Sequence, residues 1–178
     1  TVATTGCHER ISLDASRAAL MVPDVAGVTA ADRALLAALP FPVEGAWDRS
    51  TLALLVGTRD NDFHGVAAAD FAGLSEVHLS RTLQHEHCLR APEQDGVGGD
   101  REALARCRAF IVDELRLAAA AGPGATESVV VALTEETVAV ELPARALHLG
   151  RALHAVQDSF AHALRGDAFA TVRSVFNY

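Results

Sequence analysis

Apolar residues recur at helical spacing along most of this chain, and the polar residues between them gather into a few compact loops. Ser12 is placed to cap a first helix running through Leu20, with Pro23 and Gly27 in the loop that follows. Thr29 opens a short Ala- and Leu-rich helix that stops before Pro40-Phe41-Pro42. Trp47, Leu52, Leu55 and Val56 predict a third helix ending at Gly57, followed by a polar loop, Arg59-Asp60-Asn61-Asp62-Phe63-His64. A fourth helix, over residues 74–89, carries His78, His85, Glu86 and His87. Positions 85 and 87 lie about 200° apart on a helix, so one of the two faces inward and the other does not. Residues 91–99 form a loop, and Asp100 caps a long helix with Leu104, Cys107, Phe110, Ile111, Leu115 and Leu117 at helical spacing, stopped by Gly122-Pro123-Gly124. Residues 126–140 contain Val129-Val130-Val131 but no evident partner strand, and are expected to be helical. Pro143 suits the first turn of a last helix, which Gly166 ends.

That last helix carries the most informative pattern. His154, Asp158 and His162 stand four residues apart among Leu147, Leu149, Ala152, Leu153, Ala155, Val156, Phe160 and Ala161. A four-residue step turns a side chain by only about 40° and lifts it by about 6 Å, so the three groups share one stripe of a helix that is apolar around most of its circumference. Burying a carboxylate and two imidazoles is costly, and a divalent cation offsets that cost by neutralising the carboxylate and taking up imidazole lone pairs. Core histidines paired with Asp158 are the plainer reading for any one His, but not for three groups in register.

Composition narrows the class. The chain of 178 residues suits one domain, and its apolar half is Ala, Leu and Val with only 5% aromatics, which favours close-packed helices. The expected fold is therefore all-α, a compact multi-helix bundle around a buried central helix. A net charge of -8 disfavours nucleic acid and anionic membranes as partners, and no apolar run reaches membrane-spanning length. All fifteen basic residues are Arg. Cys7, Cys88 and Cys107 lack zinc-finger spacing. Taken alone, His8 reads as a solvated helix-entry residue, and the alternating Asp60 and Asp62 read as helix caps rather than ligands.

Together the residues resemble a known family. Leu149-Gly150-Arg151-Ala152-Leu153-His154-Ala155-Val156-Gln157-Asp158, with His162 beyond it, resembles the Leu-Gly-x-x-Leu-His-x-x-x-Asp helix of bacterial zinc-dependent phospholipases C and the related single-strand nucleases. His8 resembles that family's N-terminal histidine, Asp60 its loop aspartate, and His87 with the Pro- and Asp-containing loop after it the family's second histidine segment. The resemblance implies that Asp60, His87, His154 and Asp158 surround one zinc, that His8 and Asp158 hold a second with Asp158 bridging, and that His162 begins a third. It further implies a metal-activated water that hydrolyses a phosphoester, with Asp60 as general base or as a purely structural ligand.

The family's N-terminal Trp ligand is replaced by Thr1, no His follows His162, and the spacings around His87 and His162 differ. These departures point to a distant branch, or to a piece whose site another segment completes. The rival class is a non-catalytic helical module stapled by metal. Phospholipid is a possible substrate; nucleic acid is disfavoured, with Trp47, Tyr178 and seven Phe as the only stacking platforms. Family members are mostly exported, which implies a secreted or periplasmic protein whose signal has been removed. In that setting Cys7 and Cys88 can pair if His8 and His87 converge, with Cys88–Cys107 as the rival pairing.

Overall fold

The computed structural model describes residues 6–18, 28–40, 48–96 and 98–177. Trp47, Tyr178, Thr1, Leu20 and the loop at Pro23 and Gly27, all named above, lie outside them. Among the described residues the protein is mostly helical, with two short antiparallel hairpins, so the expectation of an all-α chain holds only in its coarser form. No helix there is long and apolar enough to cross a membrane.

Helix α1 (Cys7–Ala18) buries Glu9, Ser12 and Leu13, a stripe at helical spacing. It begins at Cys7, so Ser12 lies inside it and accepts a hydrogen bond from the Gln157 amide at 2.8 Å. Helix α2 (Ala30–Ala38) starts at Thr29 as the sequence predicts: Thr29 and Asp32 each accept from the other's backbone N–H, a reciprocal cap.

Helix α3 (Arg49–Phe63) is capped by Asp48, which accepts from the Thr51 N–H at 2.8 Å. Its residues Leu52 to Val56 are buried on every side. Gly57 does not end it. The helix runs on to Phe63, and Asp60-Asn61-Asp62 form its last turn rather than a loop. Gly57 is needed for another reason, because α3 crosses α6 (Ala144–Ala161) there: a Cβ at Gly57 would lie 2.1 Å from the Leu147 carbonyl oxygen. Gly150 on α6 answers it, since its Cβ would lie 2.2 Å from the Leu54 carbonyl oxygen. The two glycines let the backbones touch.

The segment expected as a fourth helix is broken. Helix α4 (Phe71–His78) stops after two turns, and a 3₁₀ turn (Gln84–His87) follows, ended by Cys88 in the left-handed region at φ 52°. Helix α5 (Gly99–Ala120) packs its Cys107, Phe110 and Ile111 face towards Cys88 and Ala155. Cys88 and Cys107 form a disulfide and Cys7 is a free, exposed thiol, so the Cys7–Cys88 pairing is not the one made. Asp100 does not cap α5; its carboxylate accepts from the Val175 N–H at 2.6 Å.

Residues 126–140 are not helical. Strand β1 (Thr126–Ala132) pairs antiparallel with β2 (Thr137–Pro143), with Val129 opposite Val140. Burial alternates as a strand requires: Val129 and Val131 are buried while Val130 between them is exposed. The partner that Val129-Val130-Val131 needs is Thr137-Val138-Ala139-Val140, one tight turn away. Pro143 then leads directly into α6, which ends at His162 rather than Gly166. Gly166 instead serves the turn between β3 (Ala163–Arg165) and β4 (Val172–Val175).

Candidate metal centre

The stripe on α6 faces inward. His154 is fully buried and Asp158 nearly so. The 3₁₀ turn brings His87 to them, giving a triangle of donor atoms: His154 Nε2 to Asp158 Oδ2 3.0 Å, His87 Nδ1 to Asp158 Oδ2 3.0 Å, and His154 Nε2 to His87 Nδ1 3.1 Å. Ligand atoms of a tetrahedral zinc with bonds of 2.0–2.1 Å stand about 3.3 Å apart, so the triangle is close to one face of such a site. His85, the other member of the pair, turns away and meets Phe110 edge-on at 5.4 Å.

Two more elements reach the cluster. From α1, His8 Nε2 lies 3.4 Å from Asp158 Oδ1. From the last turn of α3 comes Asp62, whose Oδ1 is 3.7 Å from His154 Nε2 and 3.7 Å from Nε2 of His78 on α4. Groups able to share a cation are therefore His87, His154 and Asp158, all buried; His8, Asp62 and His154; and Asp62, His78 and His87.

The far nitrogens of three of these rings, His8, His78 and His154, are fixed by oxygens that can only accept. Nδ1–H of His154 donates to the Thr58 carbonyl at 2.8 Å, that of His78 to Leu74 at 2.9 Å, and that of His8 to the Gln157 side-chain oxygen at 2.7 Å. Each ring therefore presents Nε2 to the carboxylates, the outer-shell arrangement that orients metal-binding imidazoles. Asp62 is oriented too: its Oδ2 accepts from Arg59 Nη1 at 2.8 Å, and Arg59 in turn pairs with buried Glu9 of α1.

Charge in the cluster follows from these contacts. Burial opposes charge on His154, but Asp62 and Asp158 outweigh it and raise its pKa. Contact with Asp62 raises that of His78. Burial, then the nearby His154, hold His8 below the ordinary imidazole value, so it stays a neutral donor. Burial resists ionisation of Asp62 and Asp158, yet their histidine neighbours hold both well below the usual carboxylate range. Two anionic carboxylates beside imidazoles on fixed tautomers make a donor set of the kind zinc prefers.

Of the six residues singled out in the sequence, the fold brings His8, His87, His154 and Asp158 together. Asp60 is not brought there: its Oδ2 meets both Nε and Nη2 of Arg151 at 2.7 Å, and Arg151 continues to Glu127 of the hairpin. Asp62 stands where Asp60 was expected. His162 stays at the margin, donating from Nδ1 to the His87 carbonyl at 2.9 Å and lying 3.9 Å from Asp158. His78 and Gln157 carried no distinguishing sequence signal, and Asp62 shared its signal with Asp60.

The cluster opens on a cavity of about 620 Å³. His8, Asp62, His78, His87, Asp158 and His162 line its polar side, while Phe71, Leu74 and Leu79 of the α4 region, with Leu89, form an apolar wall. Phe71 and Leu79 are 71% and 61% exposed, so this wall reaches solvent. No family model, curated protein or solved structure matches the chain.

Proposed function

We propose that this protein is a zinc-dependent phosphoester hydrolase, a distant relative of the zinc-dependent phospholipases C. One observation carries the reading: a buried triangle of His87, His154 and Asp158, sized for a zinc ion, at the floor of a solvent-connected cavity. His8 adds a neutral nitrogen beside Asp158 Oδ1, the place where the resemblance puts a second cation. Bound zinc lowers the pKa of a coordinated water and polarises the phosphoryl oxygens. The protein's own residues do the rest. Thr58 and Gln157 fix the imidazole tautomers, and Arg59 holds Asp62 with Oδ1 turned to the cluster. Asp62, not Asp60, is then the α3 carboxylate placed to ligate a metal at the cluster. The apolar wall of the cavity shields one side of the reacting group from water and suits a phosphoester with an apolar portion, phospholipid included. The Cys88–Cys107 disulfide supports a secreted or periplasmic setting.

The rival reading, metal as a staple between helices, keeps the triangle but gives the cavity no role. Zinc content by mass spectrometry and hydrolysis of bis(p-nitrophenyl) phosphate separate the two. The hydrolase reading expects bound zinc and turnover in the wild type, with both lost in Asp158→Ala. Zinc-dependent melting without turnover on any phosphoester tested would favour the staple.

A further inference from the structure

His87 has two ring nitrogens, and the buried triangle uses one. Nδ1 is taken by Asp158 and His154 at 3.0 and 3.1 Å, whereas Nε2 is buried with no hydrogen-bond partner. The side chain is only 5% exposed and lines the cavity. A buried imidazole nitrogen without a partner is rare in a folded protein and calls for a ligand. One ring nitrogen of His87 and one donor atom from each of Asp62 and His78 also lie within 4.8 Å of one another. His78 commits Nδ1 to the Leu74 carbonyl and turns Nε2 to Asp62 Oδ1; Asp62 commits Oδ2 to Arg59.

We propose that Asp62, His78 and His87 form a further cation position on the cavity side of the buried one, with His87 serving the two cations through different nitrogens. The inference rests on the buried triangle binding metal, and adds a position that the resemblance does not supply. Lone pairs decide between the two shallower groups. His154 has only Nε2 to give, because Nδ1 is held by Thr58, so the group of His8, Asp62 and His154 competes with the triangle for one lone pair. The group of Asp62, His78 and His87 can avoid that competition, because His87 has a second nitrogen, Nε2, to give; its ring proton passes to solvent as the second cation binds. Each cation then has its own carboxylate, Asp158 or Asp62. Three protein donors at the edge of a cavity leave a fourth place for water or substrate, the pattern of a catalytic rather than a structural zinc. Filling this position also fastens α4, through His78, across the cavity mouth.

The test is zinc per chain, by mass spectrometry after zinc loading and gel filtration, for wild type, His78→Ala and His78→Asn, with His85→Ala as the outward-facing control. Circular dichroism monitors folding, and Co²⁺ titration followed in the visible range gives an independent count. The expected result is one cation fewer in both His78 variants, with folding intact, and no change in His85→Ala. A His78 variant that holds as many cations as the wild type overturns the inference and leaves the buried triangle standing. A wild type that takes up no cation overturns both.

Discussion

Asp60 and Asp62 are two residues apart on α3, about 200° around its axis, so only one can face the His154–Asp158 stripe of α6. Asp62 follows Thr58 by four residues, and the Thr58 carbonyl accepts from His154; Asp60 meets Arg151, which continues to Glu127 of the hairpin. Ending the helix at Gly57 turned the aspartates into loop residues with no defined direction, and because α3 is buried all round, its apolar pattern does not by itself say which aspartate faces the cluster. Asp62→Asn is expected to weaken zinc binding by at least about tenfold, while Asp60→Asn leaves it unchanged; equal effects in a zinc titration would contradict this assignment. Protonation gives a second outcome at this scale. The raised pKa values of His154 and His78 mean that, in metal-free protein, their charged forms contribute stability fully below the unfolded value of 6.5 and lose it as pH rises through the folded values. The same deprotonation makes Nε2 available to zinc. Asp62 and Asp158 act at the other end, contributing stability above 3.8 that is lost as pH falls through their depressed values. The melting-temperature gap between zinc-loaded and metal-free protein should therefore widen from about pH 6 to about pH 8, and a gap that narrows would contradict the cluster's charge pattern.

Among elements, the α3–α6 crossing sets the dimensions of the site. Asp62 stands on one helix, His154 and Asp158 on the other, and backbone contact at Gly57 and Gly150 fixes their separation. Gly150→Ala places a Cβ 2.2 Å from the Leu54 carbonyl and must part the helices. The expected cost is about 1–3 kcal/mol in denaturant unfolding, accompanied by weaker zinc binding although no ligand has changed. The inward stripe of α6 was legible because a four-residue repeat in an apolar helix allows one orientation. Thr29 and its helix were legible from the cap. The β1–β2 hairpin was not: its two strands carry few residues between them, and Val129-Val130-Val131 declares itself only when residues 137–140 are seen as its partner. Nor was the break between α4 and the 3₁₀ turn, which frees His87 from helical phase and lets it approach His154.

On the scale of the whole molecule, the candidate site gathers residues from position 8 to position 162, so a metal bound there would be coupled to folding. A thousandfold excess of zinc over its dissociation constant should stabilise the protein by about 4 kcal/mol, seen as a rise in melting temperature that chelator reverses. The Cys88–Cys107 disulfide closes a separation of 19 residues and holds the neighbour of His87 against α5. Reducing it is expected to cost about 3 kcal/mol and to lower zinc affinity, since His87 then loses its anchor; zinc affinity equal in reduced and oxidised protein would show that the turn positions His87 unaided.

None of the residues of α4 is fully buried, in contrast to the all-round burial of α3 beneath it. The chamber wall is thus separable from the His and Asp floor. Phe71, Ser75 and Leu79 can be randomised as a cassette, with His78 retained, to alter what the chamber admits while the α3–α6 crossing stays as it is. Under the hydrolase reading, a scaffold divided in this way lends itself to selecting new substrate preferences by exchanging one surface helix.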